Sequence, residues 1–344
     1  MYIFEPFEVK NLYLKNRIVL PPMCLYTAGK DGLVNDRHFV HYTSRAIGGT
    51  ALIIMEATGV LPNGRISDHC LGIWEDGQVE GLQRVVRSCR SEGASVALQL
   101  NHAGRKCTAE SQNQRYIVSP SAIAFDETYR TPREITREEM EQVKQAFCNA
   151  AKRADAAGFD AIEIHAAHGY LISSFLSPVT NKRTDEYGGS LHNRSRYLME
   201  LLEVVRDVWP QNKALLLRLS ATDYLPGGID IHETIEVVNK AKDFIDIAHI
   251  SSGGIAQAPI KVFPGYQIPF AQAVKESCNI PVIAVGHIRT KEMVEEILAN
   301  GRADLVALGK EQFRNPNWVI HTAWQMDQPY EWPDIYHEAY GRKY

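Results

Sequence analysis

Eight short runs of apolar residues recur along the chain, and each run ends in a segment that contains glycine or polar side chains. Continuous apolar runs of this kind are typical of strands that are buried on both faces of a sheet. The pattern therefore predicts eight buried strands, at residues 17–20, 51–55, 96–100, 161–164, 215–219, 245–250, 282–285 and 305–308.

Helical patterns lie between the predicted strands. The clearest begins at Thr136, because Glu139 three residues later completes a capping-box signature. Apolar residues then follow at helical spacing, and Gly158 stands where a helix commonly ends. We predict further helices at about 197–209, 231–242 and 290–299.

Strands that alternate with helices indicate an α/β protein, and eight of them predict a (β/α)8 barrel, the TIM-barrel fold. Such a barrel takes about 250 residues. The surplus is expected in an N-terminal capping segment at 4–16 and in long βα loops at 107–136 and 171–194. We predict a single domain over residues 1–344. A doubly wound sheet would instead need a G-x-G-x-x-G motif after an early strand, and the sequence has none.

Composition narrows the class of protein further. The net charge is −4 over 344 residues, so no general attraction to nucleic acid or to an anionic membrane is expected. The N-terminal residues lack the basic flank and the long apolar core of a signal peptide, and no apolar run is long enough to cross a bilayer. The six cysteines include no C-x-x-C pair, which argues against an iron–sulfur cluster and fits a reducing cytoplasm.

In a barrel of this type the active site is built from the segments that follow the strands. The residues at those positions, in strand order, are Pro22, Met23, Cys24 and Tyr26; Ala57; Gln99 and His102; His165, His168 and Tyr170; Arg218; Ser252 and Gly253; Gly286; and Gly309 with Lys310. Several of these side chains donate hydrogen bonds or move protons. The sequence therefore predicts a catalytic site at this end of the barrel.

The two histidines after the fourth strand allow three interpretations. One is a metal pair, but no acidic third ligand follows in the loop, so no metal is expected. Another is a pair of histidines held by structural hydrogen bonds. The third is an imidazole pair, His165 and His168, that grips a carbonyl or nitro oxygen, with Tyr170 as the proton donor.

Three other candidates also have plain structural alternatives. Gly309 and Lys310 suit the phosphate corner of the fold, or they form a tight turn with a surface lysine. Arg218 within an apolar strand needs an anionic or electron-rich partner, and an internal salt bridge would also satisfy it. Cys24 is either a site residue or a small buried apolar side chain.

Long motifs carry a family resemblance. HAAHGYLI at 165–172, FLSP at 175–178, NKRTDEYGGS at 181–190 and NR at 193–194 resemble the old yellow enzyme family of FMN-dependent ene-reductases. PMC at 22–24 with Tyr26, QLNHAGRK at 99–106 and FPGY at 263–266 are similar to its bacterial, thermophilic-like NADPH dehydrogenase branch. The resemblance extends from about residue 4 to residue 316.

The resemblance implies a TIM barrel that binds FMN and uses NADPH or NADH as the reductant. It implies that flavin-ring contacts come from Pro22, Met23, Cys24, Ala57, Gln99 and Arg218, that Ser252 and Gly253 also bind the cofactor, and that Gly286, Gly309 and Lys310 hold the phosphate. Cys24 would tune the flavin. His165, His168 and Tyr26 would bind the substrate's activating oxygen, and Tyr170 would supply the proton. The implied reaction is ping-pong hydride transfer through flavin N5 to an electrophilic alkene, with nitro compounds and quinones as further substrates.

The sequence also departs from the family. Lys310 stands where the family usually has arginine, so a bidentate contact to phosphate is lost. Pro21 stands where serine or alanine is common, which removes a backbone N–H. The branch is expected to form a homodimer or homotetramer, and Arg342 in the tail at about 330–344 is the candidate to reach a neighbouring subunit's active site.

Two competing functions fit some of the same residues. A non-redox, phosphate-binding barrel enzyme such as a Schiff-base aldolase would use Lys106 or Lys310 as its amine. A non-catalytic ligand-binding barrel would keep the shape alone, but the intact His165, His168, Tyr170 and Arg218 argue against it.

Overall fold

In the computed structural model, which describes residues 1–110 and 117–340, the N-terminal segment forms an antiparallel hairpin of β1 (Phe7–Val9) and β2 (Leu12–Leu14). Leu12 and Leu14 are buried among apolar side chains inside the barrel, whereas Tyr13 between them is exposed. This alternation is that of a strand with one buried face. The hairpin is the predicted capping segment.

Eight parallel strands close into a barrel, which confirms the predicted fold class. In chain order the remaining strands are β3 (Ile18–Leu20), β4 (Leu52–Gly59), β5 (Ser95–Asn101), β6 (Val118–Ser119), β7 (Arg133–Glu134), β8 (Ala161–Ala166), β9 (Ala214–Ser220), β10 (Ile247–Ser251), β11 (Val282–Ala284) and β12 (Leu305–Ala307). The short strands β6 and β7 form a separate two-stranded sheet, and β12 pairs with β3 to close the ring.

Helices follow the barrel strands. They are α1 (Asp36–Ile47), α2 (Val79–Ser91), α3 (Arg137–Ala156), α4 (Leu171–Leu176), α5 (Leu191–Val208), α6 (Ile231–Ala241), α7 (Ile268–Cys278), α8 (Lys291–Ala299), α9 (Gly309–Arg314), α10 (Trp318–Gln325) and α11 (His337–Tyr340). The capping box of Thr136 and Glu139 is confirmed at the start of α3. Within the described ranges, none of the helices combines the length and apolarity needed to cross a membrane.

The prediction of a long loop at 171–194 was partly wrong. α4 occupies its first residues, and α5 begins at Leu191 rather than near Tyr197. The earlier start of α5 has a local cause, because the Ser190 side chain accepts a hydrogen bond from the backbone N–H of Asn193 and so caps the helix.

Side chains that point into the barrel change from apolar to polar along the strands. Alternate residues of a strand face the same side, and the inward series are Ala97 to Gln99 on β5, Ala161 to Glu163 to His165 on β8, Leu216 to Arg218 on β9, and Ile247 to His249 to Ser251 on β10. The apolar members pack with the hairpin at one end. The polar members therefore gather at the carboxyl ends of the strands.

Candidate active site

A cavity of about 410 Å³ opens at the carboxyl ends of β3 and β8–β12. Seven predicted site residues line it: Met23, His168, Arg218, Ser252, Gly286, Gly309 and Lys310. Further lining residues include Pro21, Ser251, Tyr266, Gln267, His287, Arg289 and Arg314. The barrel thus brings residues from distant parts of the sequence to one concave site.

One side of the cavity is strongly cationic. Lys310 and Arg289 are exposed there, and neither has an acidic partner among the described residues. Arg314 differs, because its Nη1 atom lies 2.8 Å from Glu311 Oε2. Burial and the neighbouring positive charges lower the pKa of His287, which favours its neutral form. Two uncompensated cations in one cavity suit a phosphate group.

Two glycines form the wall beside these cations. Gly286 has φ +133°, and a Cβ atom added there would lie 2.9 Å from Gln267 Cβ. A Cβ atom added to Gly309 would lie 2.8 Å from Met23 Sδ. Gly286 therefore requires glycine, whereas a side chain at Gly309 would have to displace the flexible end of Met23. Both residues line the cavity, where their backbone can cradle a phosphate.

Arg218 lies at the carboxyl end of β9 and is buried although it lines the cavity. Burial lowers the pKa of this guanidinium. Its Nε atom has no hydrogen-bond partner among the described residues. A buried donor left unpaired costs about 1–3 kcal/mol, so this site is built for an acceptor that the protein itself does not supply. The electron-rich carbonyl edge of a flavin ring fits this requirement.

His165 and His168 lie side by side, with ring centroids 5.3 Å apart. Burial lowers the pKa of both well below the usual value, so both imidazoles are neutral. His165 Nδ1 accepts the backbone N–H of Ala167 at 3.2 Å, which places the ring proton on Nε2. His168 Nε2 lies 2.8 Å from Ser251 Oγ. The pair can therefore donate N–H hydrogen bonds, but it does not carry positive charge.

Tyr170 packs against His165 with ring centroids 4.8 Å apart. Burial raises the pKa of its phenol well above the usual value, so the group keeps its proton at neutral pH. Tyr26 is 49% exposed and has φ +52°, a left-handed conformation that is uncommon for a tyrosine. Tyr170 is thus placed as a protonated donor, and Tyr26 stands at the rim of the site.

Cys24 is not an isolated thiol, because Cys70 lies close enough for each thiol to shift the pKa of the other. The backbone N–H of Ser67 donates to Cys70 Sγ at 3.4 Å, and Ser67 Oγ lies 3.6 Å from the same sulfur. These donors and the Cys24 thiol lower the pKa of Cys70 to about 6. Cys70 and burial raise the pKa of Cys24, and the backbone of Ala57 partly offsets this rise.

Ala57 and Gln99 belong to barrel strands. Ala57 lies within β4, where the register with β5 shifts between Met55 and Thr58. Such β-bulges commonly redirect groups beside active sites. Gln99 is buried, and its Nε2 atom donates to Glu163 Oε1 at 2.7 Å.

The remaining predicted residues are buried or are held by hydrogen bonds within the protein. Pro22 is buried next to the lining residue Pro21. Gly253 donates from its backbone to the carbonyl of Thr222. His102 is buried, and its Nδ1 atom accepts the backbone N–H of Gly104 at 3.1 Å.

Lys106 is used as a structural brace. Its Nζ atom donates to the backbone carbonyls of His168 at 3.0 Å and of Gly254 at 3.3 Å. Burial lowers the pKa of this amine to about 8. The lysine therefore holds the histidine loop in place, and this arrangement does not favour Lys106 as the Schiff-base amine of an aldolase.

Two further sequence-based expectations concern the C-terminal tail and metal binding. Arg342 lies outside the described residues. Within the described ranges, no group of three or more His, Cys, Asp or Glu side chains is arranged to hold a metal ion.

Sequence reasoning missed several residues that shape the site. Ser251, Gln267 and Arg289 line the cavity, and Glu163 and Cys70 contact predicted site residues. Glu163 carried a readable signal, since it stands at the same-face spacing before His165. Cys70 did not, because its contact with Cys24 is produced only by the fold.

Fold and site together define a (β/α)8-barrel enzyme with a site for a phosphate-bearing cofactor. Residues 2–328 match the family model described as NADH:flavin oxidoreductase / NADH oxidase family. The chain belongs to this family of FMN-dependent oxidoreductases. An NADPH dehydrogenase of Clostridium acetobutylicum is 53% identical over 342 residues, which is 99% of this chain and 100% of that protein. One of Geobacillus thermodenitrificans is 47% identical over 340 residues, 98% of each.

Solved structures agree with this assignment. Morphinone reductase is similar with a TM-score of 0.79 and 26% identity, covering 96% of this chain and 91% of that one. A 2-naphthoyl-CoA reductase complex gives 0.88 at 26% identity, covering 95% of this chain and 52% of that one. The expected family, the barrel and an enzyme that uses FMN and NADPH are therefore confirmed.

Proposed function

We propose that this protein is an NADPH dehydrogenase that reduces alkenes activated by a carbonyl or nitro group, and also quinones. The observation that carries the proposal is the arrangement of two neutral imidazoles and a protonated phenol beside the buried, unpaired Arg218. Neutral N–H donors stabilise negative charge that develops on an oxygen, and a nearby phenol supplies a proton.

The same cavity is proposed to hold FMN. Gly286, Gly309 and Lys310 would bind the phosphate, with help from Arg289, and Arg218 would meet the electron-rich edge of the ring. Pro22, Met23, Cys24, Ala57, Gln99, Ser252 and Gly253 would complete the cofactor contacts. Bound FMN supplies the two-electron centre that couples oxidation of the nicotinamide to reduction of the alkene.

The chain's own residues would then bind and protonate the substrate. His165 and His168 would donate to its carbonyl or nitro oxygen, with Tyr26 at the rim, and so stabilise the charge that forms there. Tyr170 would deliver a proton to the α-carbon. We propose that NADPH and the alkene occupy this site in turn, which predicts ping-pong kinetics.

An anaerobic absorbance spectrum of the purified protein tests the proposal. Flavin bands that bleach with NADPH and return when cyclohexenone is added are the expected result. A protein that stays colourless when FMN is supplied would refute FMN binding. Bands that bleach but fail to return with any enone, nitroalkene or quinone would refute the substrate class while leaving the cofactor in place.

Three further features are proposed from the sequence. Residues 1–344 would form one domain that assembles as a homodimer or homotetramer, with Arg342 reaching a neighbouring site. The absence of disulfides among the described cysteines supports action in the reducing cytoplasm. Light scattering tests the assembly, and Arg342→Ala should raise the KM for the alkene if the tail reaches a neighbour.

A further inference from the structure

A buried carboxylate lies one layer beneath the proposed flavin and substrate residues. Glu163 on β8 and His249 on β10 are fully buried, and Gln99 on β5 is nearly so. Glu163 precedes His165 by two residues on the same strand, so both side chains face the barrel interior. A carboxylate in such a place is costly unless it is paired and hydrogen-bonded. The proposed reaction gives Glu163 no direct role.

Side chains from two other strands fix this carboxylate. Glu163 Oε1 accepts from Gln99 Nε2 at 2.7 Å, and Oε2 lies 2.7 Å from His249 Nδ1. Burial lowers the pKa of His249, so the imidazole is neutral and its proton lies on Nδ1, facing the carboxylate. The remaining His249 Nε2 has no partner among the described residues.

The carboxylate determines how Gln99 is oriented. Because the amide nitrogen of Gln99 is bound to Glu163, its carbonyl oxygen must point away from Glu163. Rotating the amide by half a turn would place two oxygens in contact and leave a buried acceptor unpaired, which is unfavourable. Glu163 therefore decides which Gln99 atoms are offered to a ligand.

The same carboxylate also acts on Arg218. In the sheet, His165 on β8 and His249 on β10 are the register partners of Arg218 on β9. Among the charges around Arg218, Glu163 is the strongest that keeps the guanidinium protonated. Its negative charge also offsets the field that Arg218 projects into the cavity, because little water screens charges in the barrel interior.

We propose that Glu163 and His249 are positioning residues of the flavin site, which orient Gln99 and set the net positive charge beside the ring, and so hold the reduction potential of bound FMN low. This inference rests on the proposed function. Reduced flavin is more anionic than oxidised flavin, so a negative charge close to Arg218 disfavours the reduced form.

The midpoint potential of the FMN-loaded protein, measured by spectroscopic titration against a redox dye, tests the proposal. Glu163→Gln keeps the size and an acceptor for Gln99 but removes the charge. We expect reduced FMN to be favoured over oxidised FMN about tenfold more than in the wild type, a positive shift of about 30 mV for a two-electron couple. His249→Asn, which weakens the hold on the carboxylate, should shift the potential in the same direction.

Leu216→Val is the matched control. Leu216 is the β9 register partner of Glu163 and is also fully buried, but it is apolar. The Leu216→Val substitution should lower the melting temperature without changing the midpoint potential of bound FMN. If Glu163→Gln does not fold, the midpoint potential of the His249→Asn variant tests the proposal by itself. Midpoint potentials that are unchanged in the folded variants would overturn the inference. A wild-type protein that binds no FMN would instead refute the proposed function on which the inference rests.

Discussion

Removal of the Lys310 charge is expected to weaken FMN binding about tenfold. Lys310 shares its cavity with Arg289, and neither has an acidic partner among the described residues. A hydrogen bond to a charged group contributes about 1.5–3 kcal/mol, and the lower figure applies because Lys310 is exposed and screened. Since 1.4 kcal/mol corresponds to a factor of ten in Kd, Lys310→Ala should raise the Kd for FMN about tenfold. Arg289→Ala should have a comparable effect.

Arg314 supplies a control within the same cavity. Its charge is already offset by Glu311 at 2.8 Å, so Arg314→Ala should change the Kd much less than Lys310→Ala. Glu311→Gln should tighten binding, because it releases the Arg314 charge. Lys310→Arg should also tighten binding, since a guanidinium can contact phosphate through two hydrogen bonds.

The Kd is measured by quenching of FMN fluorescence during titration with apoprotein, at low and high ionic strength. The losses for Lys310→Ala and Arg289→Ala should shrink as salt is added. Equal losses for the Arg314 and Lys310 variants would contradict the reasoning, because the charge pairing seen in the structure would then have no bearing on affinity. A loss that is independent of salt would show that Lys310 acts through packing.

Three other predictions follow from the pKa shifts and from the placement of single side chains. Tyr170→Phe should slow oxidation of the reduced enzyme by cyclohexenone by about 10²-fold or more while leaving reduction by NADPH unchanged, and stopped-flow absorbance separates the two half-reactions. Hydrogen bonds lower the pKa of Cys70 to about 6, so its thiolate should form as pH rises through 6. The ultraviolet thiolate absorbance of the wild type, after subtraction of that of Cys70→Ser, should therefore rise with a midpoint near pH 6. A midpoint near 9 would contradict the contact with Cys24. Burial raises the pKa of Glu56 from 4.5 to about 8, so the native state binds the extra proton and stability should fall as pH rises across that window, by up to about 1.4 kcal/mol per pH unit. Denaturant unfolding of Glu56→Gln should lack this component, and an unchanged pH profile would argue against it.

The fold was largely predictable because the barrel strands are continuous apolar runs. The hydrophobic effect favours burial of such runs in any fold, so they can be recognised from the sequence alone. The helices were less readable where their buried faces are polar. α1 buries His38, Tyr42 and Arg45, so no apolar stripe marks it in the sequence. α4 is six residues long and all of them are buried, so no amphipathic period can be seen. The start of α5 depended on a cap at Ser190 that precedes the apolar pattern.

A site residue could be predicted where it lies at the end of a recognisable strand. It could not be predicted where its role depends on a contact with a segment that is distant in the sequence. His165 and Arg218 could be placed because the end of a strand fixes their position along the barrel axis. The contact between Cys24 and Cys70 joins two loops, and no local pattern encodes the distance between them. Arg289 lies beyond the glycine turn after β11, and only the curvature of the barrel brings it opposite Lys310.

Glu163 marks the division between the part of the barrel that stabilises and the part that reacts. Below it, inward positions are apolar and pack with the hairpin; at its level and above, the inward positions of β5, β8 and β10 are polar, and on β9 the polar Arg218 follows Leu216. Burying a charge pair rarely improves stability over an apolar pair of the same volume. The presence of Glu163 and Arg218 in a strand-lined interior is therefore better explained by the charge they present to the cavity than by the free energy of folding. The same reasoning explains why the hydrogen bonds of Glu163 run sideways to β5 and β10, since a carboxylate that must hold a fixed field cannot be free to turn.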